Sequence, residues 1–174
     1  MNIHHQEEKQ ALLACLQKIQ PEAQLSSLEQ LQKKPSHQHC MICSQQAVLG
    51  LKINHYSTAD LQVWGYIKGT IHHQGYQGIL HGGFLAALLD GVMCQALFKQ
   101  NIEAVTADMN IRYLNEIPLN SDILIRGKVI SSRSPLYKVE GELYVNGVSM
   151  VKSSSRFMKK GSVRNSFFKR KKTH

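Results

Sequence analysis

The sequence lacks an amino-terminal apolar run: MNIHHQEEKQALLACLQ carries charge where a secretory signal would be apolar, which predicts a cytoplasmic protein. Cysteine is sparse and irregularly placed, at Cys15, Cys40, Cys43 and Cys94, so no disulfide framework is expected and the thiols are read as reduced. Acidic residues are few, 12 Asp and Glu against 21 Lys and Arg, for a net charge of +9. That excess is local, because Lys159, Lys160, Arg164, Lys169, Arg170, Lys171 and Lys172 all fall in the closing stretch KKGSVRNSFFKRKKTH. RNA-binding aromatic motifs, zinc-finger spacing and recognition-helix patterns are missing as well, so no nucleic-acid partner is expected. Apolar runs of membrane length reduce to one, GILHGGFLAALLDGVMCQALF, and spanning a bilayer with it would bury Asp90 near the centre at about 2.5–3.5 kcal/mol.

What is present fits a single domain with a real core: 174 residues, 43% of them apolar. Residues 1–36 read as an N-terminal helical extension packed on the surface. Leu12, Leu13, Leu16 and Ile19 recur at helical spacing, Pro21 stops the run, and Ser26-x-x-Glu29 is the capping box of a second helix. Residues 37–160 form the main domain. VLGLKINHY and LQVWGYIKGTI read as an antiparallel strand pair, a helix follows over about Gly82–Lys99, and four strands close the domain. In the first of these, Val105, Ala107, Met109, Ile111 and Tyr113 alternate with Thr106, Asp108, Asn110 and Arg112. Asn146-Gly147 marks the last hairpin, since both central positions of a type I′ turn need positive φ. Residues 161–174 are a basic tail, expected to be solvated and disordered.

The helix is apolar on every face, and one curved antiparallel sheet covers only about half of it. A second copy of the same surface is the economical cover, so a homodimer or dimer of dimers is expected. Within this helix Asp90 needs a reason, because an unpaired buried carboxylate costs several kcal/mol or shifts its pKa upward. A structural hydrogen bond is one reason; a nucleophile or general base is the other. At the helix start, Gly82 and Gly83 leave backbone N–H groups unobstructed, ready to polarise a carbonyl. His81, just before them, fits orientation or capping better than proton transfer.

HGGFLAALLD, with an acid nine residues after His81, and VTADMNIRYLNEIPLNSDILIRGKVI resemble the hotdog-fold acyl-CoA thioesterases, in particular the phenylacetic-acid-pathway and human acyl-CoA thioesterase-like branch. The resemblance runs from about Cys40 to Lys159, and CMICSQQAVLGLKI is similar to a Cys-x-x-Cys lead-in of some relatives. It implies an α+β fold, a curved antiparallel sheet wrapped around one long helix, and hydrolysis of an acyl-CoA to free acid and CoA at a dimer interface. Carried over residue by residue, it implies Asp90 as nucleophile or general base, Gly82 as donor of its N–H to the thioester carbonyl, and Thr106 as the assisting hydroxyl. One position departs from the pattern: Gly75 stands where an amide is often found, with Gln74 and Gln77 as candidate substitutes.

Helix geometry adds a constraint. Gly82 and Asp90 are eight residues apart, so about 12 Å separates them along one helix and one chain cannot bring both to one carbonyl. Antiparallel helices across a two-fold axis would pair Gly82 of one chain with Asp90 of the other. Gly91, costing the helix about 1 kcal/mol relative to Ala, is explained if a helix or acyl chain passes close by. Leu85, Leu88, Leu89 and strand residues around Met109 are candidates to line an apolar acyl tunnel.

His37-x-His39-Cys40-x-x-Cys43 has ligand types suited to tetrahedral zinc, but His39 adjoins Cys40 and no distant second pair follows. No metal and no cofactor are therefore expected, and Cys94 is read as core packing. Phosphate contacts of CoA fall to the tail or to Arg112, Arg126 and Arg133. Phe167 and Phe168 give the tail a second reading as a weak contact with anionic membranes. The competing functions are a hotdog hydratase or dehydratase and a non-catalytic acyl-binding module.

Overall fold

The computed structural model describes residues 3–32 and 34–161. Among the described residues two α-helices, α1 (Ile3–Gln17) and α2 (Gly82–Lys99), accompany seven strands: β1 (Glu29–Gln30), β2 (His55–Ser57), β3 (Val63–Lys68), β4 (Ala104–Tyr113), β5 (Asp122–Arg133), β6 (Leu136–Val145) and β7 (Val148–Lys159). The strands form one antiparallel sheet in the order β1-β2-β3-β5-β6-β7-β4. It wraps α2 in the hotdog arrangement. Asn146 and Gly147 both take positive φ, 51° and 80°, and close the β6–β7 hairpin.

Alternation along the strands divides the apolar residues between two faces of the sheet. Ile123, Ile125, Val139, Leu143, Val151 and Phe157 meet Leu85, Leu88, Leu89, Val92, Met93 and Leu97 of α2 in the main core. This is why α2, long and apolar enough to cross a membrane, is instead the helix of a packed core. On the other face Tyr56, Trp64, Leu124 and Tyr144 are covered by Leu12 and Leu16 of α1. Both leucines are fully buried, so the helical extension is more than a surface appendage: it closes a second core.

Two sequence expectations change in the N-terminal third. The second α-helix expected in the N-terminal extension is not found among the described residues. Ser27 donates to the Gln24 carbonyl in a single 3₁₀ turn, and Glu29–Gln30 pairs with Tyr56 and Ser57 as an edge strand. There the Glu29 carboxylate also accepts from Lys99 at the far end of α2, 2.6 Å away. The strand expected over VLGLKINHY shrinks to His55–Ser57. The backbone before it is used elsewhere, because Leu51 and Ile53 donate to the carbonyls of Met41 and Ile42 at 2.8 and 2.9 Å. The basic tail lies, apart from Gly161, outside the described residues.

Trp64, the sole tryptophan, reports on the second core because it is buried beneath α1. Leu16→Asp places a charge in that core and is expected to destabilise the fold and shift Trp64 emission to the red under mild conditions. Unchanged emission and an unchanged urea midpoint would show that α1 does not cover the sheet.

Candidate active site

The site begins where the chain enters α2. The segment 74–80 folds back on itself, with Gly78 N donating to Gln74 Oε1 at 2.9 Å and Gly75 N to the Ile79 carbonyl. A Cβ at position 75 would stand 3.0 Å from the His81 Cα, a tight contact that the fold-back could take only by giving a few tenths of an ångström. Of the two candidate substitutes, Gln74 closes this turn and Gln77 is exposed at its tip. His81 then caps the helix: its Nδ1 accepts from Gly83 N at 2.8 Å.

That cap divides the two glycines. The Gly83 N–H is committed to His81, whereas the Gly82 N–H, at the first helical position, has no intrahelical acceptor. The Gly82 carbonyl accepts from Tyr113 Oη at 2.9 Å, a contact with no signature in the sequence. A Cβ at Gly82 would meet Tyr113 at 3.4 Å, ordinary contact, so crowding within the chain does not account for a glycine here.

Asp90 lies two turns further along α2 and is half-buried. Thr106 Oγ1 donates to its Oδ1 at 2.6 Å. Strict alternation along β4 would have put Thr106 on the side of Asp108 and opposite Met109 and Ile111. A β-bulge between Thr106 and Asp108 breaks the phase. Thr106 therefore turns toward α2 on the side where Met109 and Ile111 also pack, while Asp108 pairs with Arg156 across the strand pair. The bulge is what brings hydroxyl and carboxylate together.

Gly82 and Asp90 border different pockets. Gly82, Leu85 and Tyr113 line one of about 610 Å³, and Asp90, Ala87 and Thr106 line another of about 370 Å³. One chain holds the two groups on one helix without joining them, as the eight-residue spacing requires. Leu89 belongs to neither pocket: it is fully buried against β6 near Gly141. Met109 is half-buried against the main core and also lines neither. Among the candidate phosphate partners, Arg126 is engaged by Glu142 at 2.7 Å, whereas Arg112 and Arg133 are exposed.

The wall opposite Asp90 was not foreseen. Residues 35–44 dock on α2, bringing His37, Cys40, Met41 and Ile42 to the Asp90 pocket. Gly91 makes this possible, since a Cβ there would stand 2.7 Å from Ile42 Cγ2. The neighbour that Gly91 accommodates is thus a loop of its own chain. The two thiols facing the pocket differ in character. Hydrogen bonding from Cys43 and from backbone N–H groups lowers Cys40 to about 5, whereas burial, with the Asp90 charge adding, raises Cys94 to about 12.

With this geometry in place, similarity to known proteins becomes informative. Residues 77–149, which include Gly82, Asp90 and Thr106, match the family model of the thioesterase superfamily. Acyl-coenzyme A thioesterase THEM4 of rat is 33% identical over 92 residues, 52% of this chain but only 36% of that protein, so the match spans about a third of its length. Acyl-coenzyme A thioesterase 13 of mouse is 30% identical over 106 residues, covering 55% of this chain and 76% of that protein. In fold the chain is similar to a hypothetical thioesterase protein from Streptococcus pneumoniae TIGR4 solved with coenzyme A, with a TM-score of 0.56, 21% identity, and coverage of 57% and 82% of the two chains. With α2, its histidine cap, the acid nine residues on and the wrapped sheet all in agreement, the chain belongs to the thioesterase superfamily.

Proposed function

We propose that the protein hydrolyses an acyl-CoA to free acid and CoA at a site shared between two chains of a homodimer or of a dimer of dimers. The observation that carries this reading is the Thr106–Asp90 hydrogen bond at 2.6 Å, in a pocket on the same helix as, but distant from, the unpaired Gly82 N–H. Thr106 orients one carboxylate oxygen. The other is available to remove a proton from water attacking the thioester carbon, or to attack that carbon itself. The Gly82 N–H of the second chain stabilises the oxyanion that develops, and collapse of the adduct expels the CoA sulfur as thiolate; on the second route water then cleaves the acyl-aspartyl anhydride, releasing the free acid and restoring the Asp90 carboxylate. Coenzyme A in the structure of the Streptococcus pneumoniae protein supports the leaving group, as do the names of the rat and mouse relatives.

Burial supports the second chain. Gly83, Ala86, Ala87, Asp90 and Gly91 form a partly uncovered side of α2, while Leu88, Leu89, Val92 and Met93 are buried. Beside them β4 pairs, among the described residues, only with β7, and there its ten residues form a sheet edge, with Val105 44% and Tyr113 52% exposed. A ten-residue strand edge beside a partly uncovered helix face invites pairing with another chain. Light scattering at micromolar concentration is expected to give a dimer or dimer of dimers; a monomer contradicts the shared site.

Activity is tested by incubating the purified protein with a series of acyl-CoAs and following thiol release. Asp90→Asn keeps volume and removes charge, and is expected to lower kcat by about 10²–10⁴. Thr106→Val removes the orienting donor and is expected to cost about 1.5–3 kcal/mol in the transition state, roughly 10- to 160-fold in rate. Acyl-CoA binding without thiol release, or near-normal turnover by Asp90→Asn, overturns the reading.

A further inference from the structure

We propose that His37 Nδ1 and the thiolates of Cys40 and Cys43 bind one thiophilic divalent cation, zinc by the chemistry of the set, and that the ion pins residues 35–44 on α2 beside Asp90. The three ligand atoms lie within 4.8 Å of one another, with His37 Nδ1 3.8 Å from Cys43 Sγ. Tetrahedral zinc with Zn–S of about 2.3 Å and Zn–N of about 2.0–2.1 Å sets ligand atoms roughly 3.6–3.8 Å apart. The cluster therefore needs only a small contraction to close on an ion.

Each ligand is already oriented by a further contact, as ligands of bound metals usually are. The Cys40 sulfur accepts from Ile42 N at 3.4 Å. Gln95, a buried amide on the core side of α2, donates from Nε2 to Cys43 Sγ at 3.3 Å, which gives a polar residue in that position a use. The His37 ring stands edge-on to Phe98 at 4.6 Å, and its Nε2 faces Cys94 Sγ at 3.8 Å, leaving Nδ1 for the ion. His39 takes no part; it is exposed, and the histidine that matters is the one three residues before Cys40.

The missing second ligand pair, which argued against metal in the sequence, is replaced by anchorage. Ile42, between the two cysteines, presses into the notch at Gly91, and the 41–42 carbonyls hold Leu51 and Ile53. A bound ion fastens this lead-in to the helix that carries Asp90, and so fixes one wall of the Asp90 pocket. Three protein ligands leave a fourth position for water or another small donor.

Cobalt(II) titration of the reduced full chain under argon tests the site. One equivalent is expected to produce thiolate-to-cobalt charge transfer with tetrahedral ligand-field bands, both erased by zinc(II). Cys40→Ser and Cys43→Ser are expected to weaken binding by more than about 100-fold, and Gln95→Leu by about 10- to 100-fold, the range seen when an outer partner of a ligand is lost. Cys15→Ser, on α1, is expected to leave the spectrum unchanged. In the unaltered chain, one equivalent of zinc is expected to protect the half-buried Cys40 from alkylation but not Cys15, a readout that needs no variant to fold. Cobalt binding without a thiolate band, as exposed histidines such as His39 and His72 would give, overturns the proposal, as does alkylation of Cys40 unaffected by zinc. The spectrum reports ligation whether or not the protein hydrolyses thioesters, so the two readings fail separately.

Discussion

An eighteen-residue helix without a polar face has to be covered, and the rest of the molecule follows from how that is done. The sheet takes one side of α2, burying Leu88, Leu89, Val92 and Met93. The lead-in over residues 35–44 takes a strip beside Gly91. What is left is a side of small residues bearing Asp90, next to the open edge of β4. The carboxylate is tolerated because it stays half-buried and is hydrogen-bonded by Thr106.

The outer face of the sheet obeys a parallel rule. Tyr56, Trp64, Leu124 and Tyr144 would form an exposed apolar patch, and Leu12 and Leu16 of α1 remove it from water. Glu142 on the same strand as Tyr144 is nearly buried, but Arg126, Lys152, Tyr144 and Ser149 surround it and hold its carboxyl below the usual range against the opposing effect of burial. Its contribution to stability is therefore present above the ordinary carboxylate pKa and fades as pH falls through the lowered one.

Much of this was legible in the sequence, for physical reasons that can be named. The ends of α2, the Asn146-Gly147 hairpin and the four closing strands depend on local periodicity and turn chemistry, which a single chain displays openly. Elements governed by distant partners were not legible. Ser26-x-x-Glu29 looked like a helix start, but β2 and Lys99 claim Glu29. The bulge at Ala107 hid the side on which Thr106 would fall, because alternation assumes an unbroken ladder. That His37, Cys40 and Cys43 converge beside α2 was not legible either, because the residues they contact there, Cys94 and Gln95, are more than fifty positions away.

The central claim is that Gly82 and Asp90 act together only across two chains, and subunit mixing tests it most directly. Gly82→Pro deletes the N–H without obvious cost to the fold: proline suits the first helical position, and His81, at φ −67° and ψ 130°, already has the extended backbone that proline demands of its predecessor. Mixing folded, inactive Gly82→Pro with folded, inactive Asp90→Asn places both native groups at one of the two sites in each heterodimer. Random reassortment should then restore about a quarter of wild-type activity, since half the dimers are mixed and each has one intact site. No recovery despite demonstrated heterodimers would contradict a site shared between chains.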